Sequence, residues 1–596
     1  MTASPRSQLD RRLEAGSVST SLQPARLRPD ARWIATVPAA GEGVHGLMRA
    51  LLLSEPVCRL LVARGYSNVD AAKRFLRPRL EHLSAPGTLH DLPRAVERIA
   101  NAVRAQETIF VHGDYDVDGM SSTALMVRVL RGLGAEHVVP FVPNRLTDGY
   151  DLGHAGVEAA QRAGATLVVT CDCGTSAREA VATLNASGID VIITDHHLPG
   201  HALPASYAIC NPRHPECTSA DKDLAAVGVA YKIALALCEA FNVSPALAHR
   251  QLDLVALATI ADVAPLRGEN RVMVRYGLKL LAETTHPGLR ALIRSSGLEG
   301  KPLTAGRVGF VLAPRLNAAG RVADAKLGLK LLLCERDDEA NVIARELEEL
   351  NRARQELDRA VLDDAMRQVD APGMGDRYGY VLSREGWHAG VIGIVASRIV
   401  EQTARPAVLV AVHDGIGKGS GRSISAFDLH GALSDCAMHF QRFGGHRAAA
   451  GLTMDAAQLP AFAERFDEVA RARLTPEDLI PELRVDLDVP IDAVGEELEA
   501  LVRHFEPFGI GNPSPMFRTT GVRLAAAPRK VGSDGLKLSI DASRGALEAI
   551  GWGMAALAPT LSVSRPVDLA YRLDRDEYRG VSRLQLRVAG VRPCAE

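Results

Sequence analysis

Residues 108–119 read TIFVHGDYDVDG, and this stretch decides the fold class of the 596-residue chain. Its apolar start is typical of a buried strand. The apolar run is followed by one imidazole and three carboxylates: His112, Asp114, Asp116 and Asp118. Carboxylates this close in sequence repel one another unless a cation lies among them. An oxygen-rich set with one added imidazole suits Mn²⁺ or Mg²⁺. The motif therefore predicts a strand, a metal-binding turn and a helix.

The same pattern of an apolar run followed by acidic or imidazole side chains recurs three times further along the chain. The runs and the polar residues after them are Leu167–Thr170 before Asp172, Val191–Thr194 before Asp195, His196 and His197, and Leu254–Ile260 before Asp262. In an open parallel sheet, ligands gather outside the carboxyl ends of the strands. We therefore expect the four clusters to converge on one crevice.

Bulk composition is that of an ordinary globular protein, with 47% hydrophobic and 23% charged residues. The length predicts three or four domains. No uncharged apolar run reaches about 18 residues, so the sequence predicts neither a transmembrane helix nor a membrane partner. The nine cysteines are scattered and form no CxxC pair, which favours reduced thiols and a cytoplasmic location.

The fold class predicted is α/β, with two α/β domains joined by a long helix and followed by a small β-barrel. In the connecting helix, Asp337–Gln368, apolar residues keep a heptad-like spacing that Arg354 interrupts. The predicted regions are 1–40, a disordered lead-in; 41–92, an N-terminal helical region; 93–282, a doubly wound parallel α/β catalytic domain; 283–377, a helical region with the connecting helix; 378–473, a second α/β domain that binds substrate; and 474–596, an acidic connection and an OB-like barrel.

Charge is unevenly distributed near the C-terminus. The net charge of −2 gives no overall sign of nucleic-acid binding. However, acidic residues dominate 481–514, whereas Lys and Arg outnumber Asp and Glu in 515–596. A basic terminal module predicts a polyanion-binding domain, and the alternative is a structural cap.

Several of these motifs together resemble the DHH phosphoesterase superfamily. HGDYDVDG, Asp172, the Asp195-His196-His197 triplet and ADVAP (261–265) resemble its catalytic domain. GKGSGRSIS (417–425) and FGGHRAAAG (443–451) resemble its DHH-associated domain. The added segments APRLNAAGR (313–321) and PFGIGNPSP (507–515), with the β module after them, resemble the members that degrade single-stranded DNA from the 5′ end. The resemblance runs from about residue 40 to the C-terminus.

The resemblance implies a centre of two divalent ions, Mn²⁺ or Mg²⁺, between the two α/β domains. Asp172 would bridge the ions, and His197 would face the substrate phosphate. Asp195 would orient an imidazole. Asp114 has two alternative roles, as a metal ligand or as a base beside the ligands. The candidate metal ligands are His112, Asp114, Asp116, Asp118, Asp172, His196 and Asp262; the candidate catalytic residues are Asp116, Asp118, Asp172, His196, His197 and Asp262.

The segment Gly419-Ser420-Gly421-Arg422 is interpreted as a phosphate-binding loop, because glycine permits close approach and arginine binds phosphate bidentately. A hairpin turn with a solvated arginine is the alternative. By resemblance, candidates for the 5′-terminal phosphate and the adjacent backbone are Ser420, Arg422, Arg315 or Arg321, Arg145 and Asn317. His446 is a candidate phosphate or sugar contact.

These motifs predict a two-metal exonuclease that hydrolyses single-stranded DNA 5′→3′ to 5′-mononucleotides in recombination and repair. Its expected partners are single-stranded DNA, a helicase and a single-strand-binding protein. A phosphodiesterase acting on short oligoribonucleotides or cyclic dinucleotides is the alternative, although such enzymes resemble only the two central domains. A non-enzymatic single-strand-binding scaffold is a third reading, but it would require a missing ligand.

Overall fold

The computed structural model describes residues 31–35, 41–145, 147–149, 151–200, 202–543, 545–578 and 581–594. Most of the predicted disordered lead-in, 1–40, lies outside these ranges. Within it, Arg32–Ala35 form a strand that pairs in parallel with Glu482–Val485. The prediction is therefore wrong for this segment, which the backbone ladder and the packing of Trp33 against Arg592 hold in place.

The catalytic domain is built on a five-stranded, all-parallel sheet, as predicted. The strands in spatial order are Val138–Phe141, Ile109–Gly113, Leu167–Cys171, Asp190–Thr194 and Ala208–Cys210. Its helices are Leu92–Arg104, Val117–Gly132, His154–Arg162, Arg178–Ala186, Ala226–Ala240, Ala246–His249, Leu252–Ala261 and Gly268–Ala282. Helices cover both faces, which is why the strand sequences are almost continuously apolar.

The fourth apolar run is a helix rather than a strand. Leu252–Ala261 form one α-helix, and Asp262 is its C-cap residue. Its residues 252–259 are all buried, so the run lacks the one-sided pattern of a surface helix. The expectation that four strand ends carry the clusters is therefore wrong: three strand ends and one helix end do so.

A helical region links the two α/β domains and ends in the connecting helix, Asp337–Val369, whose bounds match the prediction to within one residue. Near its start, Ile343 and Leu347 pack into the catalytic core, and near its end Val361 and Ala365 pack into the second domain. The other helices of this region are Pro287–Ser295, Ala305–Arg307, Ala313–Val322 and Lys326–Leu333, with a π-helical turn at Val308–Leu312.

The second domain has a five-stranded sheet in the order Arg442–Gly445, Ala449–Asp455, Ile416–Arg422, Ala407–His413 and Tyr380–Glu385. Its helices are Ile392–Thr403, Leu429–Ser434 and Leu459–Arg473. The predicted phosphate loop at 419–422 is wrong, because these residues lie in the central strand and pair with neighbours on both sides. Its backbone N–H groups therefore serve the sheet, and only its side chains are left to bind a ligand.

The C-terminal module is a seven-stranded sheet, consistent with the predicted barrel. Its strands in spatial order are Leu487–Asp488, Phe517–Val522, Val567–Tyr578, Val581–Pro593, Leu547–Gly551, Gly535–Ile540 and Leu524–Val531, and helix Glu496–Arg503 lies beside them. The N-terminal helices Glu42–Leu51, Glu55–Ala63 and Val69–Leu76 share one hydrophobic core with this sheet. The two ends of the chain thus form one unit. Among the described residues, no helix is long and apolar enough to cross a membrane.

Candidate active site

The HGDYDVDG motif forms a tight turn between strand Ile109–Gly113 and helix Val117–Gly132. Asp116 caps the helix: its Oδ1 accepts the N–H of Asp118 at 2.9 Å and that of Gly119 at 3.1 Å. A Cβ atom on Gly119 would lie 2.4 Å from the Asp114 nitrogen, so only glycine fits where the turn closes. The turn therefore fixes all three carboxylates at the start of one helix.

Asp118 is held on its other side by a second helix. Its two carboxylate oxygens accept the N–H groups of Ala226, at 2.8 Å, and Val227, at 2.9 Å, in the first turn of helix Ala226–Ala240. Burial and the neighbouring Asp116 raise the pKa of Asp118 to about 7. The side chain is thus fixed in position, and a cation beside it would favour its ionised form.

Asp172 follows the central strand and adopts a strained backbone conformation, with φ of 68°. Its N–H donates to the Thr194 carbonyl at 2.9 Å, which ties it to the next strand. Its Oδ1 is buried and has no hydrogen-bond partner within the described chain. Burial and four nearby carboxylates raise its pKa well above the usual value. The strained turn therefore places a buried carboxylate among other carboxylates, where a cation would stabilise its ionised form.

Asp195 orients the histidine pair, as predicted. Its Oδ1 accepts the backbone N–H of His196 at 2.7 Å and that of His197 at 3.1 Å, and also contacts His197 Nδ1 at 2.7 Å. Burial alone would lower the pKa of His197, but the hydrogen bond to Asp195 raises it to about 9. His196 Nε2 lies 3.2 Å from Asp172 Oδ1 and 3.8 Å from Asp262 Oδ2.

The predicted ligands, apart from His112, converge in overlapping groups whose ligand atoms lie within 4.8 Å of one another. These groups are Asp114, Asp116 and Asp172; Asp118, His196 and Asp262; and Asp172, His196 and His197. Asp172 belongs to the first and third groups, as a bridging ligand would.

The chemistry of this cluster fits divalent ions. Asp114 Oδ1, Asp172 Oδ1 and His196 Nε2 are buried without hydrogen-bond partners in the described part of the chain. Burial and the charges of Asp118 and Asp116 raise the pKa of Asp262 to about 9. Buried charges are stable only when they are paired or coordinate a metal. Five carboxylates and one imidazole match the preference of Mn²⁺ and Mg²⁺ for oxygen-rich sites.

His112 lies outside this cluster, contrary to the sequence prediction. Its ring packs against Phe141, with centroids 5.2 Å apart, and its Nδ1 faces Cys173 Sγ at 3.5 Å. A Cβ atom on Gly156 would lie 2.5 Å from His112 Nε2. Side chains alternate between the faces of a strand, so His112 points to the face that helix His154–Arg162 covers. Burial there lowers its pKa to about 4, and Asp114 joins the cluster instead.

A pocket of about 290 Å³ opens beside the carboxylates. Its lining combines three carboxylates with two guanidinium groups and an amide, and comprises Asp114, Asp116, Asp262, Arg145, Arg321, Asn317, Tyr115, Ala261 and Gly320. The Arg145 guanidinium lies over the Tyr115 ring, 5.0 Å from its centroid. Guanidinium groups that share a pocket with a candidate metal-binding cluster suit the binding of a phosphate group there.

Arg422 and Ser420 lie on strand Ile416–Arg422 of the second domain, and neither is among the residues that line the pocket. Burial and the charge of Arg145 lower the pKa of Arg422. Arg422 Nη1 donates to Ser420 Oγ at 3.2 Å. Arg422 thus lies close enough to Arg145 for their charges to interact, whereas Arg145, Asn317 and Arg321 line the pocket itself.

Two predicted substrate residues lie elsewhere. Arg315 donates to Glu348 Oε2 at 2.5 Å and to the Val311 carbonyl at 2.6 Å, so its guanidinium is engaged with the connecting helix and a neighbouring turn. Of the two alternatives Arg315 and Arg321, only Arg321 lines the pocket. His446 is exposed and is not among the lining residues.

Sequence reasoning missed the contribution of the connecting helix to this region. Arg354 and Asp358 are buried there, and the charge of Arg354 acts on Arg321. The signal was present in the sequence, because Arg354 interrupts the heptad-like apolar spacing.

Divalent ions are expected to stabilise the protein, because they would relieve repulsion among the buried carboxylates. A free ion concentration of about 100 times the dissociation constant adds about 2.7 kcal/mol, which for a chain of this length raises the melting temperature by roughly 2 °C. Calorimetry in EDTA and in Mn²⁺ measures this shift. Asp172→Asn should show a clearly smaller shift than wild type, and equal shifts in the two proteins would contradict the site.

Comparisons with known proteins agree with this arrangement. Three family models match the chain: the DHH family N-terminal domain over residues 108–259, the DHHA1 domain over 376–472 and the RecJ OB domain over 485–590. The single-stranded-DNA-specific exonuclease RecJ of Escherichia coli is 37% identical over 561 residues, which cover 90% of this chain and 95% of the relative.

Solved structures show the same similarity. The crystal structure of Thermus thermophilus RecJ in complex with Mn²⁺ has a TM-score of 0.82 and 32% identity, covering 96% of this chain and 80% of that chain. The corresponding Mg²⁺ complex has a TM-score of 0.76 and 31% identity, covering 95% and 79%. The similarity therefore extends over nearly the whole chain and includes all its domains.

Proposed function

Because the chain belongs to the RecJ family of single-stranded-DNA-specific exonucleases, we propose that it hydrolyses single-stranded DNA in recombination and repair. It is a divalent-metal-dependent exonuclease that uses Mn²⁺ or Mg²⁺. The observation that carries the proposal is the convergence of five carboxylates and His196 on one edge of the parallel sheet, beside an arginine-lined pocket.

Each residue of the cluster has a proposed role. Asp114, Asp116, Asp118, Asp172, His196 and Asp262 would hold two ions, and Asp172 would be the ligand common to both. When bound, the ions supply an activated water and stabilise charge on the phosphate and the leaving oxygen. His197, whose Nδ1 contacts Asp195 Oδ1 at 2.7 Å, lies 3.8 Å from Asp172 Oδ1 through the same nitrogen. It binds the scissile phosphate and orients it against the cluster.

The arginine side of the pocket sets the polarity of the reaction. Arg145, Asn317, Arg321, Ser420 and Arg422 hold the 5′-terminal phosphate of the strand, since guanidinium groups bind phosphate through paired hydrogen bonds. A terminus anchored here places the next phosphate near the carboxylates on the other side of the same pocket. Degradation then proceeds 5′→3′ and releases 5′-mononucleotides. The role of His446 as a further phosphate or sugar contact stays a prediction.

The C-terminal module and the remaining partners complete the proposal. Strand Leu524–Val531 exposes Arg529 and Lys530, and basic β-modules of this kind bind single strands through the backbone phosphates. A helicase and a single-strand-binding protein are proposed partners, since they supply and cover the single strand. The nine cysteines are free thiols, which supports a cytoplasmic location.

End-labelled substrates test this function. The purified protein with Mn²⁺ is incubated with single-stranded DNA labelled at the 5′ or the 3′ end, with duplex DNA and with short RNA. We expect early release of label from the 5′-labelled single strand as a mononucleotide and slow loss of the 3′ label. Cleavage restricted to di- or trinucleotides would instead favour the small-substrate phosphodiesterase and contradict the proposal.

A further inference from the structure

The buried face of the connecting helix changes from apolar to polar halfway along its length. Asn351 and Asp358 are each 1% exposed and Arg354 is 8% exposed. They fall between Leu347, in the catalytic core, and Val361, in the core of the second domain. Buried polar side chains cost free energy unless their partners are well placed. The burial of this polar segment, at the point where the two domains meet, therefore indicates that its side chains have a specific role.

Asp358 joins the connecting helix to the second domain. Its Oδ2 lies 3.0 Å from Arg398 Nη2, on helix Ile392–Thr403, and 3.4 Å from Arg354 Nη1. Arg354 Nη2 in turn donates to Asn351 Oδ1 at 2.7 Å. Asp358 Oδ1 is buried with no hydrogen-bond partner among the described residues. One carboxylate thus fixes an arginine on its own helix and an arginine on the neighbouring helix.

Helix Ile392–Thr403, which Asp358 contacts through Arg398, begins next to the proposed phosphate-binding residues. Arg321 Nη1 donates to the Gly390 carbonyl at 3.1 Å, just before the helix starts. A Cβ atom on Gly393, in its first turn, would lie 2.8 Å from Ser420 Oγ and 3.2 Å from Arg422 Nη2. Any displacement of this helix would therefore move the proposed phosphate contacts on both sides of the domain boundary.

Charge also links Asp358 to the pocket. Burial and the charges of Arg145, Arg354 and Arg422 lower the pKa of Arg321 to about 10. Burial raises the pKa of Asp358, while Arg398, Arg354 and Arg321 act in the opposite direction. Asp358 is thus a buried anion among guanidinium groups that would otherwise repel one another.

We propose that Asp358 is a positioning residue that holds Arg354 and helix Ile392–Thr403 so that Arg321, Ser420 and Arg422 converge on a terminal phosphate. This inference rests on the proposed function and adds a source of its specificity. Asp358 does not touch the substrate. It keeps the pocket shaped for a 5′-phosphorylated end rather than a 5′-hydroxyl end.

The test compares the binding of two oligonucleotides that differ only at the 5′ end. Full-length protein loaded with Mn²⁺ is titrated into fluorescent single strands that have hydrolysis-resistant phosphorothioate linkages and bear a 5′-phosphate or a 5′-hydroxyl. Wild type should bind the phosphorylated strand more tightly. Asp358→Asn should reduce that preference about tenfold, equivalent to about 1.4 kcal/mol. If Asp358 had a purely structural role, its substitution would weaken the binding of both strands equally and leave the ratio of the two affinities unchanged.

The matched control is Asp364→Asn, on the same helix. Asp364 is also buried and contacts Arg367, Arg384 and Trp387, at distances from 2.5 to 3.0 Å. Its substitution should leave the preference at the wild-type ratio. Arg398→Gln provides a second route if Asp358→Asn folds poorly. This substitution removes the Asp358–Arg398 ion pair by changing the partner whose side chain is 43% exposed. It should also reduce the preference for the phosphorylated strand.

The inference is contradicted if wild type shows no preference for the phosphorylated strand. It is also contradicted if Asp358→Asn keeps or increases that preference, or if Asp364→Asn loses it to the same extent. These outcomes are separate from failure of the proposed function, which would appear as wild-type protein that does not hydrolyse single-stranded DNA in Mn²⁺.

Discussion

Replacing Asp172 with asparagine is expected to reduce hydrolysis of single-stranded DNA more than about 100-fold, because even the outer hydrogen-bond partners of metal ligands are typically worth about 10–100-fold. Asp172 belongs to two of the overlapping ligand groups, and in the proposed centre its loss would weaken both ion positions. Asparagine tolerates the backbone φ of 68° better than most residues do, so the turn should keep its shape. The measurement is the initial rate on a 5′-labelled strand in Mn²⁺.

The control for this variant is Asp190→Asn. Asp190 begins the neighbouring strand and pairs with Arg98 at 2.6 Å, with 43% of its side chain exposed. Its substitution should change the rate less than about twofold, because exposed ion pairs contribute little. If the Asp172→Asn protein retained wild-type turnover, the assignment of Asp172 as a metal ligand would be contradicted.

Replacing Gly119 with alanine should destabilise the protein by about 3 kcal/mol or more and abolish hydrolysis, since overpacking costs about 1–3 kcal/mol even where side chains can move. Here the added Cβ atom would lie 2.4, 2.5 and 2.7 Å from the N, O and C atoms of Asp114. These are backbone atoms and cannot rotate away, so the turn that places Asp114 and Asp116 must open. Thermal unfolding and the initial rate are measured on the same preparation.

Gly46→Ala is the matched control, because it makes the same substitution inside helix Glu42–Leu51. A Cβ atom on Gly46 meets nothing within 4 Å. Alanine favours a helix over glycine by about 0.8–1 kcal/mol, so this variant should be slightly more stable and fully active. If Gly119→Ala were as stable and active as Gly46→Ala, the close approach of the motif turn would be disproved.

The parallel sheet and most of the site could be predicted because three strands end in polar side chains, and strand ends in such sheets meet at one edge. His112 shows where this reasoning stops. It precedes the carboxylates in the motif, but strand alternation puts it on the face with Phe110. The sequence alone could not say which face would be covered by helix His154–Arg162.

Other differences came from patterns that fit two structures equally well. A short, continuously apolar run is compatible with a buried strand or a buried helix, and Leu252–Ala261 proved to be the helix. The glycine-rich segment at 416–422 resembles a loop in composition. It is a strand because its neighbours on both sides supply the backbone pairing, and such long-range pairing leaves no local signal.

Contacts between distant parts of the chain could also not be predicted from the sequence. Phe75 and Phe505 meet with ring centroids 5.3 Å apart, although one lies in the N-terminal helices and the other near the C-terminal module. Arg271 joins the two by donating to the carbonyls of Phe75, at 3.1 Å, and Phe505, at 2.8 Å. Neither end shows in its own sequence that part of its core lies more than 400 residues away.

The number of ions bound by the carboxylate cluster tests the central claim most directly. Metal-free protein is dialysed against Mn²⁺, its metal content is measured per chain, and its electron paramagnetic resonance spectrum is recorded. We expect two Mn²⁺ per chain with the magnetic coupling of ions that share a bridging ligand, and loss of that coupling in Asp172→Asn. No more than one Mn²⁺ per wild-type chain, or two without coupling, would contradict a two-metal centre bridged by Asp172.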